Sequence, residues 1–422
     1  LMLSGMLQLM FNAVDIVVVG RFSGSQSLAA VGATTALIYL FTNLFIGISL
    51  GANVLAARYY AAGKHEEMSE TVHTAMMFAL ISGIIMIFVG LFFSRLALEI
   101  MGTPSDVIDQ ATLYMRIYFL GMPFFMLYNY GAAILRAVGD TKRPLIFLII
   151  SGVVNACLNM LLVIVFHLDV AGVAIATVTS QFISCVLVIG CLYRTKSSYQ
   201  LRFSRLKIRK EYLKPICQVG IPAGIQSTVI NFSNALLQSS VNSFGSTTMA
   251  GYTAANNIFG FLYVSVNAIT QACMSFTSQN YGLRKLKRMD KILIDCLILT
   301  VVVSLVLGGG VYLFGAEILR LYTEEAEVIR CGIEIFAYTT VTYFLCGIMD
   351  LFPGALRGMD RSTVPMILSV IGTVGTRIVW VFWLFPAHRS LAFLFISYPA
   401  SWLITIAMQV ICFYLVRRKV HA

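Results

Sequence analysis

An aspartate set in a run of valines is the residue most able to do chemistry in this sequence. Asp15 is flanked by Val14 and by Ile16, Val17 and Val18, with no basic residue within a helical turn. A carboxyl group in such surroundings needs a proton, a cation or polar donors. It can therefore trade a proton or Na⁺ against a cationic solute, although a purely structural carboxyl bonded across helices is the competing reading. Asp350 is a second acid in an apolar run; it could line a cavity or pair with Arg377. Arg116 is the other cation in an apolar run and could equally reach out towards an interface. Asn155 and Asn159 are four apart and share one helix face, where they could serve a site or simply helix packing. Asn231, Asn234, Gln238, Asn256, Asn257, Asn267 and Gln271 are more amides than packing needs, so some are expected to line a wet cavity.

These groups must be positioned by membrane helices. Apolar residues make up 59% of the 422, charged residues only 12%, about half the charge of a soluble domain. A water-facing surface cannot be covered with so little charge. Lipid leaves no solvent for unpaired backbone groups, so helices or a closed barrel are the spanning choices. The apolar stretches, such as 81–93, 146–166 and 292–313, are continuous rather than alternating, which selects helices. The fold class is an all-α polytopic membrane protein. Twelve spans are expected, near 1–20, 30–57, 71–94, 107–135, 144–166, 171–193, 212–241, 248–279, 292–313, 328–356, 364–385 and 391–416. Pro123 and Pro353 are expected to kink the fourth and tenth. The chain opens at Leu1 with an apolar run, read as a retained span whose true start lies upstream.

Placing the even-numbered connections on one side gathers 23 of the 30 Lys and Arg residues there, against five on the other. The basic side is then cytoplasmic and holds both termini of a protein in the inner (plasma) membrane. The same asymmetry accounts for the net charge of +11 without a nucleic-acid partner. Residues 195–211 are basic and read as a cytoplasmic linker between an N-terminal lobe, 1–194, and a C-terminal lobe, 212–422. Glu66, Glu67 and Glu70 read as solvated loop charge. The nine cysteines show no CxxC spacing and no zinc pattern. Neither a phosphate-binding glycine loop nor a Ser/His/Asp arrangement appears, so an enzyme and ATP-driven transport are disfavoured, and no cofactor is expected.

Sliding the chain by 221 residues pairs Gly24 with Gly245, Tyr60 with Tyr281, Leu135-Arg136 with Leu356-Arg357, and Pro144 with Pro365. Asp350 then falls opposite Asn129. Identity is low, but turns and helix ends keep register. Two six-span bundles related by a pseudo-two-fold along the membrane normal can enclose a cavity and rock around it, which favours a secondary transporter. The 29 Phe, 19 Tyr and 19 Met suit a polyspecific pocket for lipophilic cations.

Asn12, Asp15, Gly20 and Arg21 are followed by Leu28 to Gly32, and Leu135, Arg136, Gly139, Asp140 and Pro144 have a second copy in Leu356, Arg357, Asp360 and Pro365. Asn155 and Asn159, Val170 to Ala174 with Thr177 and Gln181, and Val219 to Gly224 complete the pattern. This punctuation of the two halves resembles the multidrug and toxic compound extrusion (MATE) family, and most of all its bacterial DinF-like branch. The resemblance implies an antiporter that expels amphipathic or cationic organic compounds, drugs included, in exchange for H⁺ or Na⁺. By the same resemblance the coupling cation sits at Asp15, Asn155, Asn159 and Thr177. Asn159 stands where the family carries a second carboxylate, which weakens a tight Na⁺ cage and suits proton coupling. Ile230 and Cys346 stand where some members carry C-lobe acids. Gln181, Asn231, Asn234, Asn257, Gln271, Asp350 and Arg377 are assigned to the substrate cavity or a second coupling site. Arg136, Gly139, Asp140, Arg357 and Asp360 are read as cytoplasmic turns, more structural than gating. Partners are small molecules and membrane lipid, and the protein is expected to be a monomer. A lipid-linked sugar flippase of the same superfamily is the first rival and would call for a cationic cavity; a membrane-embedded enzyme is the second.

Overall fold

The computed structural model describes the backbone of residues 1–320 and 324–421. Side chains at 12, 16, 17, 20, 21, 24, 25, 28, 36, 246 and 419–421 lie outside the description. The roles read above for Asn12, Gly20, Arg21 and Leu28 therefore fall outside the described residues.

Among the described residues all regular structure is helical. The first half contains α1 (Met2–Phe22), α2 (Gly24–Ala61), α3 (His65–Ile100), α4 (Ile108–Leu120), α5 (Met122–Ala137), α6 (Lys142–Asn159) and α7 (Asp169–Arg194). The second contains α8 (Lys210–Asn242), α9 (Ser246–Gly282), α10 (Leu286–Leu313), α11 (Gly315–Arg320), α12 (Ala326–Thr339), α13 (Tyr343–Gly358), α14 (Thr363–Ser369), α15 (Thr376–Val379) and α16 (Leu391–His421). Wider π-helical turns extend α6 over Met160–Val165 and flank α15 over Val370–Gly375 and Trp380–Leu384. Eight described helices are long and apolar enough to cross a membrane alone, and the bent pairs α4–α5 and α12–α13 raise this to ten. Counting each bent pair as one rod and α14–α15 as another, and leaving aside the six-residue α11, the described residues form six rods per half. α8 is less apolar than its neighbours because it carries Gln226, Asn231, Asn234 and Gln238 along its length.

One of the two bends falls beside the proline expected to cause it, and the other does not. α4 and α5 meet at 48° across Gly121, and Pro123 is accepted just beyond, at the start of α5, where no helical N–H is missed. α12 and α13 meet at 50° across residues 340–342. Pro353 lies well inside α13, so the kink expected at Pro353 is instead found more than ten residues upstream. Glycines on α3 and α10 receive these bends. A Cβ on Gly83 would lie 2.4 Å from the Pro123 Cα, and one on Gly308 would lie 2.4 Å from the Thr340 carbonyl oxygen.

The 221-residue register is visible in the backbone itself. Left-handed residues recur at Gly63 (φ 67°) and Arg284 (φ 54°), and at Gly139 (φ 90°) and Asp360 (φ 61°). α3 and α10 begin in register, as do α6 and α14; α2 and α9 end in register, as do α5 and α13. The π-helical turn after α6 has its counterpart in Trp380–Leu384. Arg136 and Arg357 are not turn residues: each closes the last turn of its helix, α5 or α13. Asp140 is in the turn, where its carboxylate accepts the Arg143 backbone N–H at 3.1 Å and caps the start of α6.

Packing divides the chain into two compact units, residues 3–224 and 225–422. In the first, Met68, Met76, Met115, Phe119, Met122, Met126 and Tyr130 are fully buried. The segment joining α7 to α8 is held on α3. His73, buried, donates from Nδ1 to the Ser69 carbonyl at 2.6 Å and accepts the Arg202 N–H on Nε2 at 3.0 Å. Glu70, read above as solvated charge, is instead largely buried and paired with Arg209 at 2.6 Å. α8 crosses α2 at backbone contact through two glycine pairs. A Cβ on Gly47 would lie 2.3 Å from the Gly224 nitrogen, and one on Gly51 would lie 2.0 Å from the Ile216 carbonyl oxygen. Both pairs, Gly47/Gly51 and Gly220/Gly224, are four apart, the spacing that lets membrane helices approach closely. In the second unit the core is aromatic: Tyr398 stacks on Phe395 at 5.9 Å and meets Trp402 edge-on at 5.7 Å.

Candidate functional site

The four residues assigned to cation coupling converge in the first unit. α1 presents Asp15, α6 presents Asn155 and Asn159 on one face, and α7 supplies Thr177. The Asn159 amide nitrogen donates to the Asp15 carboxylate and, at 3.1 Å, to the Asn155 carbonyl oxygen. The Asn155 amide in turn donates to the Thr177 hydroxyl oxygen at 3.5 Å, and that hydroxyl donates to the Val173 carbonyl at 2.9 Å. Asn159 is fully buried and Asn155 nearly so. One acceptor is left over: the Asn159 Oδ1 atom is buried with no hydrogen-bond partner. Leaving such an oxygen dry is unfavourable, so the site can accept one further donor beside its one acid. Tyr114 and Tyr118 of α4 lie close enough to feel the Asp15 charge. Gln181 sits beside the Tyr118 hydroxyl and against the Gly121 bend, adjoining this cluster.

What seats α1 on α6 is a ring over a glycine. Phe11 lies one turn before Asp15, and its ring packs where a Cβ on Gly152 would be, 1.9 Å away. Gly152 lies three residues before Asn155, on the same face of α6. Gly152→Val is therefore expected to lift Phe11 and separate Asp15 from Asn159, lowering transport while costing about 1–3 kcal/mol of stability. Trimming the ring in a Phe11→Ala, Gly152→Val double variant should restore part of the transport rate. Strict additivity of the two changes in a reconstituted assay would show that the pair does not hold Asp15.

The second unit separates the residues that the sequence suggested as a pair. Arg377, 3% exposed, donates to the Asn234 carbonyl oxygen at 2.6 Å and to the Ser401 hydroxyl at 3.3 Å, and lies 4.4 Å over the Tyr398 ring. Among the described residues Arg377 and Asp350 form no ion pair. Arg377 is satisfied by neutral acceptors and a ring face, while the cation whose field reaches Asp350 is Arg357. Arg357 donates to the Gln226 amide oxygen at 2.7 Å. Tyr263 lies near Asp350 and heads a ladder along α9 in which Gln271 donates to Asn267 at 2.7 Å and Asn267 to Tyr263 at 3.4 Å. Asn257 joins neither cluster; it is exposed and bonds the Thr253 carbonyl of its own helix. Asn231 is also exposed on α8. Asp360 stays in its turn.

The MatE family model matches residues 1–161 and, a second time, residues 222–383, so the second match starts 221 residues after the first. This chain belongs to the MatE family. It is a multi-span membrane protein of the multidrug efflux transporter family. Its relatives include the "Probable multidrug resistance protein YoeA" of Bacillus subtilis, 28% identical over 97% of this chain and 90% of that protein. The "Multidrug export protein MepA" of Staphylococcus aureus is 22% identical over 88% of this chain and 82% of its own length. Among solved structures, a MOP superfamily transporter from Pyrococcus furiosus superposes with a TM-score of 0.90 at 22% identity, covering 100% of this chain and 94% of that one. A mutant of the Vibrio cholerae MATE transporter VcmN gives 0.92 at 18% identity, covering 99% of this chain and 94% of its own. These likenesses establish the MATE fold, twelve helices in two lobes.

The sequence reading of this family member missed Phe11, Gly152, Gln226 and the contact of Gly47 and Gly51 with the α8 glycines. The glycines carried a readable signal, the four-residue spacing of small residues in apolar helices. Gly152 carried a weaker one, a glycine on the polar face of α6. Gln226 had none, because its partner Arg357 is 131 residues away.

Proposed function

We propose that this protein is a secondary antiporter that expels amphipathic or cationic organic compounds by alternating access, driven by proton entry at Asp15. The observation that carries the reading is the unpartnered Asn159 oxygen beside the carboxylate. Ionised Asp15 accepts the Asn159 N–H. Protonated Asp15 offers an O–H, and a small turn of the amide plane lets it donate to Asn159 Oδ1 while still accepting the amide N–H. The proton thus changes a one-bond contact between α1 and α6 into a paired acid–amide contact. A cationic substrate favours the ionised state, a proton the other, and that difference couples the two fluxes. Sodium is less well served, since hard cations favour several anionic oxygens and the Asn159 amide points its N–H groups at the acid. The arginine-rich membrane face is taken as cytoplasmic, in the cell membrane, with the protein acting as a monomer without cofactor.

The test is a fluorescent organic cation in vesicles carrying purified protein, with ΔpH or ΔNa⁺ imposed separately. Uptake driven by ΔpH alone is expected; a response to ΔNa⁺ alone would overturn proton coupling. Asn159→Asp should add the missing anionic ligand and bring out Na⁺-stimulated transport absent in the parent. If the variant shows no Na⁺ response while retaining ΔpH-driven transport, Asn159 is not what sets the ion.

A further inference from the structure

Between α6 and α7, at the arginine-rich face, lies a groove of about 560 Å³, within the range of small-molecule sites. Arg143 and Arg194 stand at its rim, and Phe147, Val186, Gly190 and Cys191 form much of its wall. Gly190 makes the space: a Cβ there would meet nothing within 4 Å, so this glycine serves no close helix contact. Beyond the groove the surface continues apolar and exposed, through Ile146, Ile150 and Val153 on α6 and Phe182 and Val186 on α7. In a chain with this many spans, that surface faces lipid tails. Any occupant therefore meets two guanidinium groups at one end and hydrocarbon at the other.

We propose that this groove binds an anionic phospholipid, with its phosphate on Arg143 and Arg194 and the start of an acyl chain along Phe147, Val186 and Gly190. Basic clefts between helices at a membrane face suit such headgroups, and guanidinium forks match phosphate oxygens. The charged groups lining the groove are both cationic. Lys142 and Lys196 lie beside the two arginines in the chain. Asp140, three residues before Arg143, already accepts the Arg143 backbone N–H at 3.1 Å and pairs with its Nε at 3.3 Å. Arg143 Nη1 rests on the Cys191 sulfur at 3.4 Å, a weak partner that a phosphate oxygen displaces. A soluble anion would use only the rim; the apolar wall selects a lipid. The inference is independent of the ion-exchange reading.

The test is native mass spectrometry of the full-length protein released from vesicles of equal phosphatidylglycerol and phosphatidylcholine. Selective retention of phosphatidylglycerol is expected. Removing both charges in Arg143→Gln, Arg194→Gln should lower that retention on the order of 30-fold. Gly190→Leu keeps both arginines and fills the groove where there is open space, and should lower it comparably. Undiminished retention in either variant, or equal retention of phosphatidylcholine by the parent, would overturn the proposal. So would competition by soluble glycerol 1-phosphate as strong as that by the lipid, which would make the site one for free anions.

Discussion

Asp15→Asn is expected to reduce ion-driven export on the order of 100-fold, the upper range of coupling between two ligands, with the protein still folded and inserted. The substitution is chosen because it changes charge and almost nothing else. An asparagine at 15 keeps an amide oxygen to accept the Asn159 N–H, so the contact between α1 and α6 survives. What is lost is titration: the side chain can no longer alternate between donor and acceptor, and a cationic substrate no longer competes with a proton there. The measurement is ΔpH-driven uptake in vesicles, beside a melting curve and a binding isotherm for the fluorescent cation. The melting temperature should stay close to the parent, while uptake falls to that of empty vesicles. Proton-driven export by a well-folded variant at the parental rate would remove Asp15 from the mechanism. A contrasting outcome is expected at Asp350→Asn: that acid lies within the field of Arg357 and apart from the Asp15 cluster, so the change should leave the ion dependence as in the parent.

Gly51→Leu is expected to be the most damaging single change in the first unit, costing more than about 4 kcal/mol, the range reserved for a broken core. Ordinary overpacking is relieved when a side chain swings aside. Here the atom a new Cβ meets is the Ile216 backbone oxygen at 2.0 Å, and neighbouring Gly47 meets the Gly224 backbone at 2.3 Å. Neither helix can yield locally, so α8 must separate from α2 along its length. The variant should lose its single size-exclusion peak in detergent. Gly190→Ala is the control: with open space around its Cβ it should be neutral or stabilising by a few tenths to about 1 kcal/mol. A Gly51→Leu protein that melts within a few degrees of the parent would mean that the two backbones do not touch.

Much of the architecture was legible because the bilayer simplifies the problem. Apolar length reports spans, and turn residues at 63, 139, 284 and 360 mark where helices stop. The register of the repeat was readable from a few paired turns, and it reappears in left-handed residues that share no side chain, such as Gly63 with Arg284. The second bend was misread at Pro353 because proline is the usual cause of a kink, whereas this backbone yields at residues 340–342, where Thr340 packs against Gly308. Asp350 and Arg377 were offered as partners because each looked costly alone. The structure meets those costs differently, through Asn234, Ser401 and a tyrosine face for the arginine.

By itself the sequence determined that this is a helical membrane protein built twice from one plan, and that an isolated acid stands in its first helix. Those properties are local: hydropathy, turn chemistry and charge are carried by residues near one another in the chain. The tertiary structure alone decided which groups meet. Asp15 and Asn159 are 144 residues apart and Gly51 and Ile216 lie on different helices. Hydropathy says how deep a residue sits but not which way its helix is turned. That rotation is set by small residues and ring contacts, Gly152 beneath Phe11 among them, whose effect appears only once two helices are in place.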